Sequence, residues 1–129
     1  VRHHQQKVRE LSSRLSEFVM LTIDNTKLNS LTQELRQALS ELYGDRLVNL
    51  ILFGSHARHE ATADSDIDVM VVLEGAISPG DEILRMSAIK TELNLKYDEL
   101  ISVIPISETD YQKRLTPLLE NVRHQGIAV

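Results

Sequence analysis

Five residues in the stretch GSHARHEATADSDIDV, 54–69, have the types and spacing to do chemistry together. Asp66 and Asp68 lie one residue apart. In an extended strand such residues leave the same face, with Cα atoms ~6.6 Å apart. Two carboxylates held that close repel unless a cation sits between them, and hard oxygen ligands of this kind suit Mg²⁺ or Mn²⁺. Gly54-Ser55 closes the preceding apolar run. A glycine-led turn into a helix presents backbone N–H groups to an anion, and the serine hydroxyl adds a donor. Arg58, one turn on, can offer a guanidinium fork to a phosphate oxygen. Each feature also has a plain structural explanation. A solvent-facing strand edge accounts for a lone D-x-D, a simple strand-to-helix turn accounts for Gly-Ser, and Arg58 can pair with Glu60 on the surface. The combination carries more weight than any part, because an anion cradle and a metal-binding face on neighbouring strands are what two-metal phosphoryl chemistry requires.

The elements that would position these residues can be read from periodicity. RLVNLILF (46–53), DIDVMVVL (66–73) and ELISVIPI (99–106) are short apolar runs rich in β-formers and predict three strands, with Pro105 marking an edge or a strand end. Val8, Leu11, Leu15 and Phe18 give residues 5–22 a helical stripe. A second runs through Leu28, Leu31, Leu35, Leu39 and Leu42 to Gly44. A short helix is predicted through His56, Ala57 and Arg58, and a longer one after Ser78-Pro79-Gly80-Asp81, with Ile83, Met86, Leu93 and the Lys90 stem on one side. Ser107-Glu108-Thr109-Asp110 reads as a capping box, Thr116-Pro117 as a helix restart, and Gly126 as its stop. The order predicts an α/β (α+β) fold: a small sheet of about three core strands, flanked by helices.

Composition bounds the function. The 129 residues fit one domain; 42% are apolar and 26% charged, an ordinary globular balance. Cysteine is absent, which removes disulfides and thiolate metal sites and fits a cytoplasmic protein. No apolar run approaches the ~20 residues of a membrane span, and no signal-peptide core stands at the start, so no membrane association is expected. A formal charge of −5 disfavours long nucleic acids, which need clustered cations, and leaves a single nucleotide acceptable. His3 and His4 carry no functional weight.

Gly54-Ser55, ten residues, then Asp66-Ile67-Asp68, with Ala57, Arg58, Ala61 and Ser65 between, resembles the signature of the DNA polymerase β-like nucleotidyltransferases. The chain's size is similar to the minimal nucleotidyltransferases (MNT) that serve as antitoxins to HEPN toxins. The resemblance covers roughly residues 28–129, including the closing PLLENVRHQGIAV, and implies a nucleotidyltransferase domain over 26–129 with an N-terminal helical extension over 1–25. It implies AMP transfer from ATP to a hydroxyl, with Gly54, Ser55, Arg58 and Ser65 on the nucleotide and Asp66 and Asp68 on two Mg²⁺ (or Mn²⁺) ions. A third carboxylate is expected on the next strand, as ligand or base; Asp98 and Glu99 are the candidates. Asp98 is preferred because it precedes the strand and shares parity with Ser102. If Ser102 itself is the equivalent, only two carboxylates remain. His59 stands where the family usually has Gly, and an exposed position is expected for it; a zinc pair with His56 lacks further ligands.

The implied partner is a HEPN-type toxin modified on a tyrosine, with the 5–22 helix either docking a partner or mediating an oligomer, or packing on its own core. Two other functions fit: an antitoxin that neutralises by contact alone, and a small-molecule nucleotidyltransferase of the aminoglycoside type.

Overall fold

The computed structural model describes residues 26–62 and 64–129; the helix predicted over 5–22, and the 1–25 extension with it, lie outside the described residues. The chain divides into two compact units, Val1–Leu31 and Thr32–Val129, and the architecture is that of the second. Helix α1 (26–43) runs into a single 3-10 turn, Gly44–Arg46, then strand β1 (Leu47–Phe53). Strand β2 (Ile67–Leu73), helix α2 (Pro79–Tyr97) and strand β3 (Ile101–Ser107) follow, then helices α3 (Glu108–Lys113) and α4 (Pro117–Gln125) and a two-residue strand β4 (Ile127–Ala128).

The sheet has the order β3-β2-β1-β4. β1 runs antiparallel to both β2 and β4, and β2 runs parallel to β3. A parallel pair needs a long crossover, which α2 supplies. β2 is therefore central and buried at every position except Asp68, which is half-buried. Such an interruption in a buried strand is where function is to be sought. Alternation sends Asp68, Met70 and Val72 to one face. There Met70 and Val72 join Ile51 and Phe53 of β1 and Leu119 and Val122 of α4 in one core cluster, with Ile104, Ile106 and Tyr111 against it. Val69, Val71 and Leu73 face the other way and are fully buried, as are Leu35 and Leu39 of α1 and Met86 of α2. That second layer is tied by the Tyr43 hydroxyl, which donates to the buried Glu82 carboxylate at 2.5 Å; burial and that carboxylate hold the phenol well above its usual titration range.

Local chemistry agrees with the expected boundaries. Ser107 Oγ accepts from Asp110 N at 3.1 Å and Thr116 Oγ1 from Leu119 N at 3.2 Å, capping α3 and α4, and Pro117 sits at the first helical position. Arg123 Nη1 donates to the carbonyls of Tyr111 and Arg114, locking the two helices together. Pro105 lies on β3, the edge strand, as its missing N–H demands. Several features differ from expectation, among them the α2 face, where Ile83 is exposed and Glu82 is buried with Met86 and Leu93, and the start of β3 at Ile101. Residues 54–59 form a turn rather than a short helix. The apolar tail after α4 adds β4 to the sheet, beyond the three predicted strands, and Gly126 makes this possible: a Cβ there would lie 2.4 Å from Val122 O and 2.5 Å from Ile51 Cγ2. Two residues are too few to show an alternating pattern in sequence.

Candidate active site

β1 and β2 pair so that Phe53 stands opposite Asp68. The residue after Phe53 is therefore carried past the Asp68 side chain. That residue is Gly54, with φ +76°, and a Cβ on it would lie 2.5 Å from Asp68 Oδ2. Conformation and space both require glycine here. The anion-type turn and the strand carboxylate consequently share one spot at the end of the β1–β2 pair.

The turn is held by its own backbone: Arg58 N donates to Gly54 O at 3.2 Å, His59 N to His56 O at 3.4 Å, and Glu60 N to Ser55 O at 2.9 Å. Among the described residues, the N–H groups of Ser55, His56 and Ala57 donate to no backbone carbonyl, as expected of the first residues of a helical turn. Arg58 is exposed and its Nε donates to Glu60 Oε2 at 3.1 Å; an exposed pair of this kind is worth ~0–1 kcal/mol, so the guanidinium can leave it at little cost. His59 closes the turn with φ 58°, a left-handed conformation that explains why glycine is usual there, and it is exposed.

Ser65, expected on the nucleotide, has its hydroxyl engaged locally: Oγ accepts from Thr62 N at 2.9 Å and lies 3.3 Å from Thr62 Oγ1. Its carbonyl lies 3.5 Å from His56 Nε2. His56 thus links the 54–59 turn to the segment that leads to Asp66. Sequence reasoning missed this role, having weighed His56 only as half of a zinc pair, and among the described residues no three His, Cys, Asp or Glu gather to hold a metal ion.

Asp66 precedes β2 and is exposed. It opens onto a cleft of about 390 Å³ also lined by Asp64, Ser65, Asn94, Leu95, Asp98, Glu99 and Leu100. Asp98 therefore reaches the same cleft, though not from a strand. It caps α2 in the left-handed conformation, φ 53° and ψ 48°, with its N–H on Asn94 O; Glu99 N also reaches Asn94 O, and Asn94 Oδ1 accepts from Ile101 N at 2.9 Å. The parity argument that favoured Asp98 fails because the backbone from 98 to the start of β3 at Ile101 is not a continuous strand. In the observed register the residue of β3 beside Asp68 is Ser102.

Charge is concentrated at Asp68. Burial raises its pKa first, the Asp66 carboxylate raises it further, and His56 and Arg58 oppose them. Both leading causes favour the neutral, protonated acid at this position.

Residues 32–116 match the family described as Nucleotidyltransferase domain, a span that contains every one of these residues. The chain belongs to the nucleotidyltransferase family. It is similar to three provisionally named protein adenylyltransferases of Methanocaldococcus jannaschii. One is 32% identical over 98 residues, covering 75% of this chain and 93% of the relative. A second is 36% identical over 95 residues, covering 73% and 89%. Solved structures with the same fold include a toxin–antitoxin complex with AMP-PNP (18% identity, TM-score 0.52, 80% of this chain and 69% of that one) and a variant of the toxin–antitoxin MntA-HpeT (18%, 0.53, 78% and 69%). Among the described residues of this nucleotidyltransferase, no helix is long and apolar enough to cross a membrane.

Two substitutions test this geometry. Asp68→Asn should raise the melting temperature at neutral pH. With its folded pKa raised, Asp68 keeps its proton to higher pH in the folded than in the unfolded chain, so the wild type loses stability as pH rises above about 3.8, and the advantage of the amide should vanish below that value. Asp98→Gly should stabilise the fold by about 0.5–1 kcal/mol in denaturant titrations, because glycine suits the left-handed position after a helix, and should leave transferase activity within about twofold; a catalytic carboxylate would instead cost about 100-fold.

Proposed function

We propose that this nucleotidyltransferase moves AMP from ATP to a hydroxyl on a protein partner, namely a tyrosine of a HEPN-type toxin, and thereby acts as its antitoxin. The observation that supports this reading is the close approach of Gly54 to the Asp68 carboxylate, which brings the turn we read as a phosphate cradle up to the acid we read as a cation ligand. The protein adenylyltransferase names of relatives at 32–36% identity support the reaction class, and the toxin–antitoxin complexes of like fold support the partner class.

The turn N–H groups of Ser55, His56 and Ala57, with the Ser55 hydroxyl, hold the β- and γ-phosphates. Arg58 leaves Glu60 to join them. Asp66 and Asp68 suit Mg²⁺, which keeps several waters and takes one or two carboxylates together with substrate phosphates; they do not suit a cage built from protein ligands alone. When bound, the ions neutralise the triphosphate and activate the acceptor oxygen. In the transfer, a bond forms between the acceptor oxygen and the α-phosphorus, the bond from that phosphorus to the bridging oxygen breaks, and pyrophosphate leaves with the electron pair. The hydroxyl proton departs on the open side, where Asp66 faces solvent. Positioning and charge neutralisation suffice, without a covalent nucleophile on the enzyme.

A second reading is favoured by one observation: the β3 residue beside Asp68 is Ser102, so that strand brings Asp66 and Asp68 no third carboxylate. A slow or inactive enzyme of this design would neutralise its partner by contact. Incubation with labelled ATP, Mg²⁺ and a HEPN toxin encoded beside this chain separates the two. Label should appear on the toxin and fall by about 100-fold or more in Asp66→Ala. A tight complex without label, unchanged by Asp66→Ala, favours the contact reading, and label on an aminoglycoside hydroxyl would replace both.

A further inference from the structure

The sheet face that carries Asp68 continues past the site. Met70 follows Asp68 on β2, and Ile104 and Ile106 follow Ser102 on β3, each step ~6.6 Å along the same face. Beyond Asp68 this face opens into a groove of about 940 Å³. Met70, Ile104 and Ile106 form its floor, α3 and α4 with Leu118 form one wall, and the 75–79 loop forms the other. Among the described residues that line it, Asp110 and Arg114 alone carry charge. Leu118 is 44% exposed, and Ile104 and Ile106 are half-buried, so apolar surface faces outward. Contiguous surface of this kind marks a place where another molecule packs.

Two features of the fold say what covers it. The first is direction. The 54–58 turn springs from β1 and the strand order is β3-β2-β1-β4, so a triphosphate on that turn lies on the β1 side of Asp68. In-line displacement sets the attacking oxygen opposite the departing pyrophosphate. The acceptor hydroxyl then arrives from the β3 side, across Ser102, one step along each strand from the groove. The second feature is the edge of β3. Ile67 N donates to Leu100 O at 2.8 Å, so the ladder turns even-numbered backbone groups of β3 toward β2 and odd-numbered ones outward. Pro105 belongs to the outward set and has no N–H, while Ile101 N already donates to Asn94 Oδ1. Strand addition is disfavoured along such an edge, which leaves side-chain packing on the face as the means of holding a partner.

We propose that this groove is the docking surface for the acceptor protein. Apolar side chains beside its reactive hydroxyl lie against Ile104, Ile106 and Leu118, and the hydroxyl reaches over Ser102 toward Asp68. The proposal rests on the nucleotidyl-transfer reading for the direction of approach. Docking of this kind sets affinity for the acceptor and leaves nucleotide binding and the chemical step unchanged.

The test compares wild type with Leu118→Glu and Ile104→Glu, with the HEPN toxin encoded beside this chain as the probe. Toxin affinity is read by calorimetry, affinity for a non-hydrolysable ATP analogue by equilibrium dialysis, and transfer of labelled AMP as kcat and KM for the toxin. Each substitution should weaken toxin binding and raise KM by at least about 10-fold, with kcat and analogue affinity held within about twofold. Ile104 packs against the core cluster, so Ile104→Glu is scored only if it melts cooperatively; Leu118→Glu, at an exposed position, otherwise decides alone. Unchanged toxin affinity in Leu118→Glu overturns the proposal. Loss of analogue affinity also overturns it, by making the groove part of the nucleotide site. A wild-type dimer that Leu118→Glu dissociates in sedimentation overturns it too, by making the groove a contact between copies of this chain. If wild type binds the toxin and never labels it, the transfer reading fails, while the calorimetric comparison still decides the groove. A wild type that does not bind the toxin overturns the docking proposal outright.

Discussion

The site depends on one contact, that of the Gly54 backbone with the Asp68 carboxylate. Antiparallel pairing of β1 with β2 sets Phe53 opposite Asp68, and the chain must then turn away directly over a charged side chain. Glycine suits this turn on two counts: it takes φ +76° without strain, and it brings no Cβ against Asp68 Oδ2. The rest of the fold is arranged so that this can happen. β2 is central and apolar everywhere else, which fixes its register and forbids a one-residue slip that would turn Asp68 inward to the other face. Parallel pairing to β3 through α2 supplies the second neighbour, and α4 with β4 seals the outer side of β1.

This arrangement leaves Asp68 in an environment that penalises its charge. Burial is the largest cause, and the neighbouring Asp66 adds to it. His56 and Arg58, both on the turn, offset part of that penalty, so the turn is electrostatically as well as sterically matched to the carboxylate. At this position the fold by itself would hold a neutral side chain more comfortably than a charged carboxylate.

Most of the architecture was legible because it rests on periodicity and caps. The three principal strands, the α2 crossover, the Ser107 and Thr116 caps and the stop at Gly126 all follow from short-range rules. The approach of Gly54 to Asp68 was legible because the spacing between the two strands is local too. The third carboxylate was not. Its assignment depended on where β3 begins, and Asn94, by binding the N–H groups of Asp98, Glu99 and Ile101, ends α2 in a left-handed cap that no alternation pattern reveals. The local partner of Ser65 was not legible either: its hydroxyl accepts from Thr62 N within the loop. The strand β4 arises from pairing with a segment distant in sequence, and the link through His56 depends on how a nine-residue loop folds back, neither of which composition encodes.

The most direct test is a thermodynamic cycle on Gly54 and Asp68, read by denaturant unfolding. Gly54→Ala carries two costs, the positive φ and the collision with Asp68 Oδ2; Asp68→Ala removes only the second. The destabilisation caused by Gly54→Ala should therefore be smaller by at least about 1 kcal/mol in the Asp68→Ala background than in the wild type, within the range typical of residues in contact. Equal destabilisation in the two backgrounds would mean that turn and carboxylate do not touch, and the site as described would not exist.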